Sequence, residues 1–198
     1  MDTQLSLFTQ QTSSPSEQSS LFVAFRPDEI TTHKMVDQCE GLAARYGYLG
    51  KTVHRELLHM TLAYINDYEG DIPQRVLKDV TEACAAAAKF PSFPLQLDQV
   101  ETFGGKPGKR PLVMTMGEAA NPMLIEFQQS LMKQLWLSGL PCKKSPKFNP
   151  HVTLSRGPLV LAEPADAVSW IAGEIVLLQS IIGEGRHDCL GRWPLEAA

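Results

Sequence analysis

The chain has 198 residues, 43% of them hydrophobic, and a net charge of −4, which suits one good-sized domain or two small lobes packed together. The acidic total speaks against a general nucleic-acid coat protein. No apolar run approaches the roughly 18 to 20 residues of a membrane span, so a soluble cytoplasmic protein with no membrane partner is expected. Cys39, Cys84, Cys142 and Cys189 are scattered with no Cys-x-x-Cys pair, which suggests reduced structural thiols rather than a zinc knuckle or a disulfide framework.

Residues 1–20 are rich in Ser, Gln and Thr and read as a disordered polar tail, leaving residues 21–198 as a single bilobal domain. "LFVAF" at Leu21 to Phe25 is the first strand. Pro27, Asp28 and Glu29 then open a helix, with Ile30, Val36, Cys39, Leu42, Ala43 and Tyr46 at helical spacing and Gly47 or Gly50 to stop it. "LLHMTLAYI" from Leu57 is the next strand. A second helix starts near Pro73 and carries Val76, Leu77, Val80, Ala83, Cys84 and Ala87 on one stripe. Strands follow in "FPLQLDQVETF" and "PLVMTMG", separated by the loop "GGKPGKR". A third helix from about Pro122 to Leu137 is marked by Leu124, Phe127, Leu131 and Leu135. The loop "SGLPCKKSPKFNP" leads to the strand "HVTLSR", and the tail from Val168 holds two or three more strands with "GEG" as their turn.

The order helix, loop, His-x-Thr strand, further strands occurs twice, which suggests an internal duplication. The expected fold class is α+β: two similar lobes of largely antiparallel sheet with flanking helices, related by a pseudo-twofold axis around a central cleft.

The frames themselves are "HMTL" at His59 and "HVTL" at His151, ninety-two residues apart in a chain with five histidines. On a strand, His59 and Thr61 share one face, with Met60, Leu62 and Tyr64 opposite, and His151 and Thr153 share a face with Val152 and Leu154 opposite. The apolar residues anchor the strand in a lobe, and the polar pair faces the cleft. Two imidazoles near their ordinary pKa of about 6.5 can act as general base and general acid around one phosphate, while threonine hydroxyls donate to its oxygens. Two histidines and two threonines are a poor zinc set, so no metal and no cofactor are expected. A single His-x-Thr would be read as strand packing; the doubled frame carries the functional reading. His33 on a helix and His54 in a loop have solvated side chains as the default, and His187 lies near a turn. From Lys106 to Arg156 the charge is +6, leaving −10 elsewhere. That local excess fits a phosphate-bearing ligand or, more plainly, a solvated lysine-rich loop.

At these residues the sequence resembles the two-histidine phosphoesterase superfamily, and within it the RNA 2′,3′-cyclic phosphodiesterases also described as 2′-5′ RNA ligases. "LFVAFRPDEI" is similar to the family's opening strand and helix, "HVTLSR" to its second motif with trailing arginine, and "EIVLLQSIIGEGRHDCLGRWPL" to its closing strands. The resemblance implies hydrolysis of a terminal 2′,3′-cyclic phosphate of RNA to a 2′-phosphate, with RNA ends or nucleotides as partners and the protein acting as a monomer. It also implies His59 and His151 as the catalytic pair, His59 as acid and His151 as base, and Thr61 and Thr153 as phosphate-binding hydroxyls. Arg156 matches the family's arginine, although simple alternation puts it opposite His151 unless a bulge or strand end turns it. Lys109 and Arg110 are further candidates for the RNA backbone. The basic run-in "GYLGKTVHRELLHMTL" and "AYINDYEG" depart from the family pattern. They keep open a non-catalytic RNA-end or nucleotide binding module, or a phosphodiesterase for small cyclic nucleotides.

Overall fold

A computed structural model describes residues 18–117, 121–140 and 148–198. Residues 1–17 of the expected tail, Cys142, and three lysines of the basic window (Lys143, Lys144, Lys147) lie outside the described residues.

The first strand, β1 (Gln18–Phe25), begins within the segment expected as tail. Its serines belong to the ladder: Ser19 is buried and accepts from the Gln179 side chain at 2.9 Å, and Ser20 donates to Asp67 at 2.6 Å. Helix α1 (Glu29–Tyr46) is capped by Asp28, whose carboxylate accepts from the Thr31 N–H at 2.7 Å, and ends at Gly47 with φ of 78°. The short β2 (Lys51–Thr52) and a 3-10 turn (Arg55–Leu57) precede β3 (Met60–Glu69), which therefore starts three residues later than Leu57, just after His59. Helices α2 (Gln74–Ala87) and α3 (Pro122–Leu137) bury the stripes their periodicity marks. β4 (Phe93–Thr102), β5 (Arg110–Thr115) and β6 (His151–Gly157) fall where the patterns place them. The C-terminal part forms β7 (Ala162–Ala172), which starts before Val168, then β8 (Glu174–Ile181) and β9 (Arg186–Pro194). Gly183 and Gly185, at φ of 95° and 63°, make the final turn, as glycine's freedom allows.

The fold is an open, antiparallel α+β arrangement with sheet order β7-β4-β5-β6-β3-β1-β8-β9, β2 lying beside β6. At its middle, β3 and β6 share a single register pair, Met60 with Val152. Four strands lie on one side of this junction and four, with the short β2, on the other, giving two lobes. The second lobe is continuous in sequence; the first is completed by β8 and β9, which return to lie beside β1. The helices cross between lobes as well: α1 packs on β6 and β7, and α3 packs on both β3 and β4. Thr31 and Gln38 of α1 donate to the β7 carbonyls of Ser169 and Asp166 at 3.0 and 2.6 Å.

One core lies between the sheet and all three helices. Phe25 of β1, Phe93 of β4 and Phe127 of α3 meet there with centroids 5.9, 5.0 and 6.0 Å apart, so elements of both lobes share it. Fully burying each ring contributes about 1.5–3 kcal/mol. The other sheet face carries a smaller cluster, Phe22, Ala24, Val176 and Leu178 with Tyr64, and this is the face the sequence pattern assigns to the cleft.

Candidate active site

Both frames contain the same irregularity. Along β1 and β3 the register runs Ala24 with Thr61 and then Val23 with Ala63, leaving Leu62 as an extra residue. Along β5 and β6 it runs Val113 with Thr153 and then Leu112 with Ser155, leaving Leu154 extra. Each His-x-Thr is thus followed by a β-bulge at its leucine, and a bulge inverts the alternation beyond it. Tyr64, expected on the core face, is instead paired with Phe22 and packs on the cleft cluster. Arg156, paired with Pro111, likewise falls on the face of Thr153 and His151, the face that strict alternation denies it. It is exposed there.

The imidazoles are held alike. His59 Nδ1 donates to the Leu57 carbonyl at 2.6 Å and His151 Nδ1 to the Asn149 carbonyl at 2.8 Å, each two residues upstream. A carbonyl only accepts, so Nδ1 carries the proton and Nε2 is left to face a ligand. The Met60–Val152 pair makes the two histidines diagonal neighbours across the lobe junction, a relation that sets strand positions about 7 to 8 Å apart. Thr61 and Thr153 are half-buried, and among the described residues neither hydroxyl bonds to another protein group. The two halves of the doubled frame therefore meet at one place in the cleft.

Their surroundings differ. The His59 ring lies over Phe22 at 4.9 Å and meets the edge of His187 at 5.1 Å, with Phe22 and His187 at 5.4 Å. His187 joins this cluster from β9, which β1 and β8 separate from β3 in the sheet order; no local sequence signal shows that. Burial lowers the His59 pKa to about 4 against the opposing effect of the Leu57 hydrogen bond, and the neighbouring His187, Arg26 and His151 act in the same direction as burial. Burial, with Arg26, also lowers His187. His151 packs only against Phe103, edge to ring at 4.9 Å, among the described aromatic rings.

The remaining candidates stand apart. Lys109 is exposed on the loop before β5, and Arg110 pairs with Gly157 beside Arg156. His33 is exposed on α1 and accepts from Arg55 at 3.4 Å, and His54 is exposed with Glu56 at 3.8 Å. Among the described residues Cys39, Cys84 and Cys189 are free thiols, and burial pushes Cys84 up to about 12. No group of three His, Cys, Asp or Glu side chains stands together to hold a metal, and no helix is long and apolar enough to cross a membrane, again among the described residues.

An open antiparallel α+β sheet of two lobes, carrying one His-x-Thr frame from each at the junction, is the two-histidine phosphoesterase fold. The solved structure of E. coli LigT in apo form matches it with a TM-score of 0.70 at 25% identity, over 91% of this chain and 99% of that one. LigT complexed with 3′-AMP matches with a TM-score of 0.66 at 25% identity, over 91% and 99%. TT0787 of Thermus thermophilus shares the fold with a TM-score of 0.71 at 20% identity, over 90% and 98%. No curated protein matches the sequence. Residues 26–175 match the 2′-5′ RNA ligase superfamily, and the chain belongs to that family of phosphoesterase-type enzymes.

Proposed function

We propose that the protein is an RNA 2′,3′-cyclic phosphodiesterase that hydrolyses a terminal cyclic phosphate to a 2′-phosphate without a metal, with His59 and His151 as its acid-base pair. The observation that carries this reading is the matched presentation of two imidazoles, each with Nδ1 committed to a backbone carbonyl. Thr61 and Thr153, both without a protein partner among the described residues, flank them. Arg156 joins them from the cleft face of β6 as a substrate contact. The reading also treats the described chain as a single bilobal domain acting as a monomer on RNA ends or nucleotides.

In this scheme one imidazole takes a proton from water as the water oxygen attacks phosphorus. The P–O3′ bond breaks, and the other imidazole protonates O3′. Burial delivers His59 neutral at pH 7, which suits the base, so His59 is assigned as base and His151 as acid, the reverse of the roles the family resemblance implies. The threonine hydroxyls donate to the non-bridging oxygens. With a 5′-hydroxyl in place of water as the nucleophile, the same groups would open the cyclic phosphate by breaking P–O3′ and leave a 2′-5′ linkage, as in 2′-5′ ligation.

The test is hydrolysis of an oligonucleotide ending in a 2′,3′-cyclic phosphate, in EDTA. Wild type should turn over, and His59→Ala or His151→Ala should lose about 10²- to 10⁴-fold. Undiminished turnover by either variant sinks the reading. A cyclic mononucleotide run in parallel distinguishes an RNA-end enzyme from one for small cyclic nucleotides, and tight binding with no product between pH 5 and 8 would assign a binding module instead.

A further inference from the structure

The residue that follows β1 occupies a position the sequence patterns do not single out. β1 and β3 pair Ala24 with Thr61 and Phe25 with Met60, so one further step sets Arg26 beside His59. Alternation from Phe22 and Ala24 puts Arg26 on the cleft face. The equivalent position across the pseudo-twofold axis, beside His151, is Thr115. Thr115 is buried, and its hydroxyl donates to the Pro150 carbonyl at 3.0 Å. Where the second frame has a self-satisfied threonine, the first has an arginine.

That arginine has an unsatisfied donor. Its Nε is buried without a hydrogen bond, as is Nδ1 of His187, and orphaned buried donors of this kind are costly unless a ligand satisfies them. Arg26 also borders a cavity of about 280 Å³ between the start of α1 and the 3-10 turn, which reaches Leu58 but is lined by neither His59 nor His187. Glu29 and Glu56 line the same cavity, yet neither forms an ion pair with Arg26 among the described residues. The charged groups acting on His59 are Arg26 from the end of β1, His187 from β9 and His151 from β6, all cations or potential cations. Among these groups around His59 none is an anion.

We propose that Arg26 and His187 form an anion pocket on the His59 side of the cleft, which grips the phosphate shared by the two frames and stabilises the negative charge that builds on it during hydrolysis. This assignment rests on the phosphodiesterase reading for its chemistry, though not for the anion itself. As water attacks phosphorus, the monoanionic cyclic diester gains charge on its non-bridging oxygens before O3′ leaves. A guanidinium meets that charge with charge-assisted hydrogen bonds from its free donors. His187, neutral beside Arg26, contributes an imidazole hydrogen bond. Arg26 has a second effect, since its charge beside His59 helps keep that base unprotonated.

The experiment pairs kinetics with binding of inorganic phosphate, followed by calorimetry, on wild type, Arg26→Gln, Arg26→Lys and His187→Gln. Thermal melts confirm that each variant is folded. Arg26→Gln should lower kcat/KM about 100-fold and weaken phosphate binding, with Arg26→Lys recovering part of both and His187→Gln losing less, about tenfold. The acidic limb of the pH–rate profile should move upward in Arg26→Gln, a shift that loss of a packing contact would not produce. Wild-type kcat/KM and unchanged phosphate affinity in Arg26→Gln overturn the proposal. If wild type proves inactive on cyclic phosphates, the calorimetry still decides: phosphate binding lost in Arg26→Gln upholds the pocket while the phosphodiesterase reading fails. A wild type that binds no phosphate overturns the pocket.

Discussion

In the first frame the bulged Leu62 gives its carbonyl to the side chain of Gln128 on α3, at 3.4 Å; in the second, the bulged Leu154 gives its carbonyl to the backbone N–H of Val53, at 2.8 Å. A bulge takes a residue out of the ladder, so its polar groups need partners from outside the strand pair. The first lobe finds that partner in a helix from the other half of the chain. The second finds it next to β2, where the chain crosses β6 so closely that a Cβ on Gly157 would stand 2.1 Å from the Leu49 carbonyl. The shared device is backbone geometry: histidine pinned two residues upstream, threonine on the cleft face, leucine bulged inward. The difference is electrostatic. His59 is packed between Phe22 and His187 near an arginine, whereas His151 packs against Phe103; both are half-buried. A duplicated scaffold thus gives two imidazoles the same orientation in different surroundings, and those of His59 lower its proton affinity.

The largest expected effect tests whether the frames act as one unit. His59→Gln and His151→Gln should each lower kcat by about 10²- to 10⁴-fold, and the double variant should lose little more than either alone, because groups that act together are non-additive. Additive losses would mean two separate sites. Since His59 is lowered to about 4, kcat/KM in wild type should persist down to that region. An acidic limb near the ordinary histidine value of about 6.5 would remove the asymmetry between the frames.

A second test reads the asymmetry as stability. His59 has a folded pKa of about 4, below its unfolded value of 6.5, so between the two the unfolded chain binds more protons. The neutral imidazole therefore stabilises the fold above pH 6.5, and that contribution is lost as pH falls towards 4. At about 1.4 kcal/mol per pKa unit the loss is about 3 kcal/mol, and the lowered His187 adds to it in the same direction. Urea titrations across about pH 4 to 7 should show the decline in wild type and a flatter profile in His59→Gln. A variant at His151 that flattens it equally would contradict the comparison.

Much of this was legible in the sequence because it rests on period. Pro122 to Leu137 is the third helix as its spacing indicates, and the frames lie on adjacent central strands. What period cannot show is a single extra residue. Nothing in "HMTLAY" or "HVTLSR" marks Leu62 or Leu154 as bulged, so strict alternation puts Tyr64 and Arg156 on the wrong face. The contribution of β8 and β9 to the first lobe is equally silent, since pairing with β1 spans most of the chain. His187 joins His59 only through that return. Arg26 lies two positions beyond Ala24 on the same strand face, but the Pro27 that follows it marks a helix start, and a residue at such a boundary carries no periodic signal of its own.

The smallest effects concern the residues three positions beyond each threonine, which the two bulges bring to the cleft face: Tyr64 in the first frame and Arg156 in the second. If symmetry of backbone meant symmetry of role, both would contact substrate. Their bonding argues otherwise. Tyr64 donates its hydroxyl to Asp67 within its own strand, while Arg156 is exposed and makes no ion pair or side-chain hydrogen bond among the described residues. A guanidinium with unused donors can bind a phosphate oxygen, and a hydrogen bond to a charged group is worth about 1.5–3 kcal/mol. Arg156→Ala should therefore reduce kcat/KM on a cyclic-phosphate oligonucleotide about tenfold or more, and Tyr64→Phe should change it by less than about twofold, since the hydroxyl it removes is already committed to Asp67. Equal losses in the two variants would show that the first lobe contributes a substrate contact at Tyr64 as well, and that the chemical difference between the frames is confined to the histidines and Arg26.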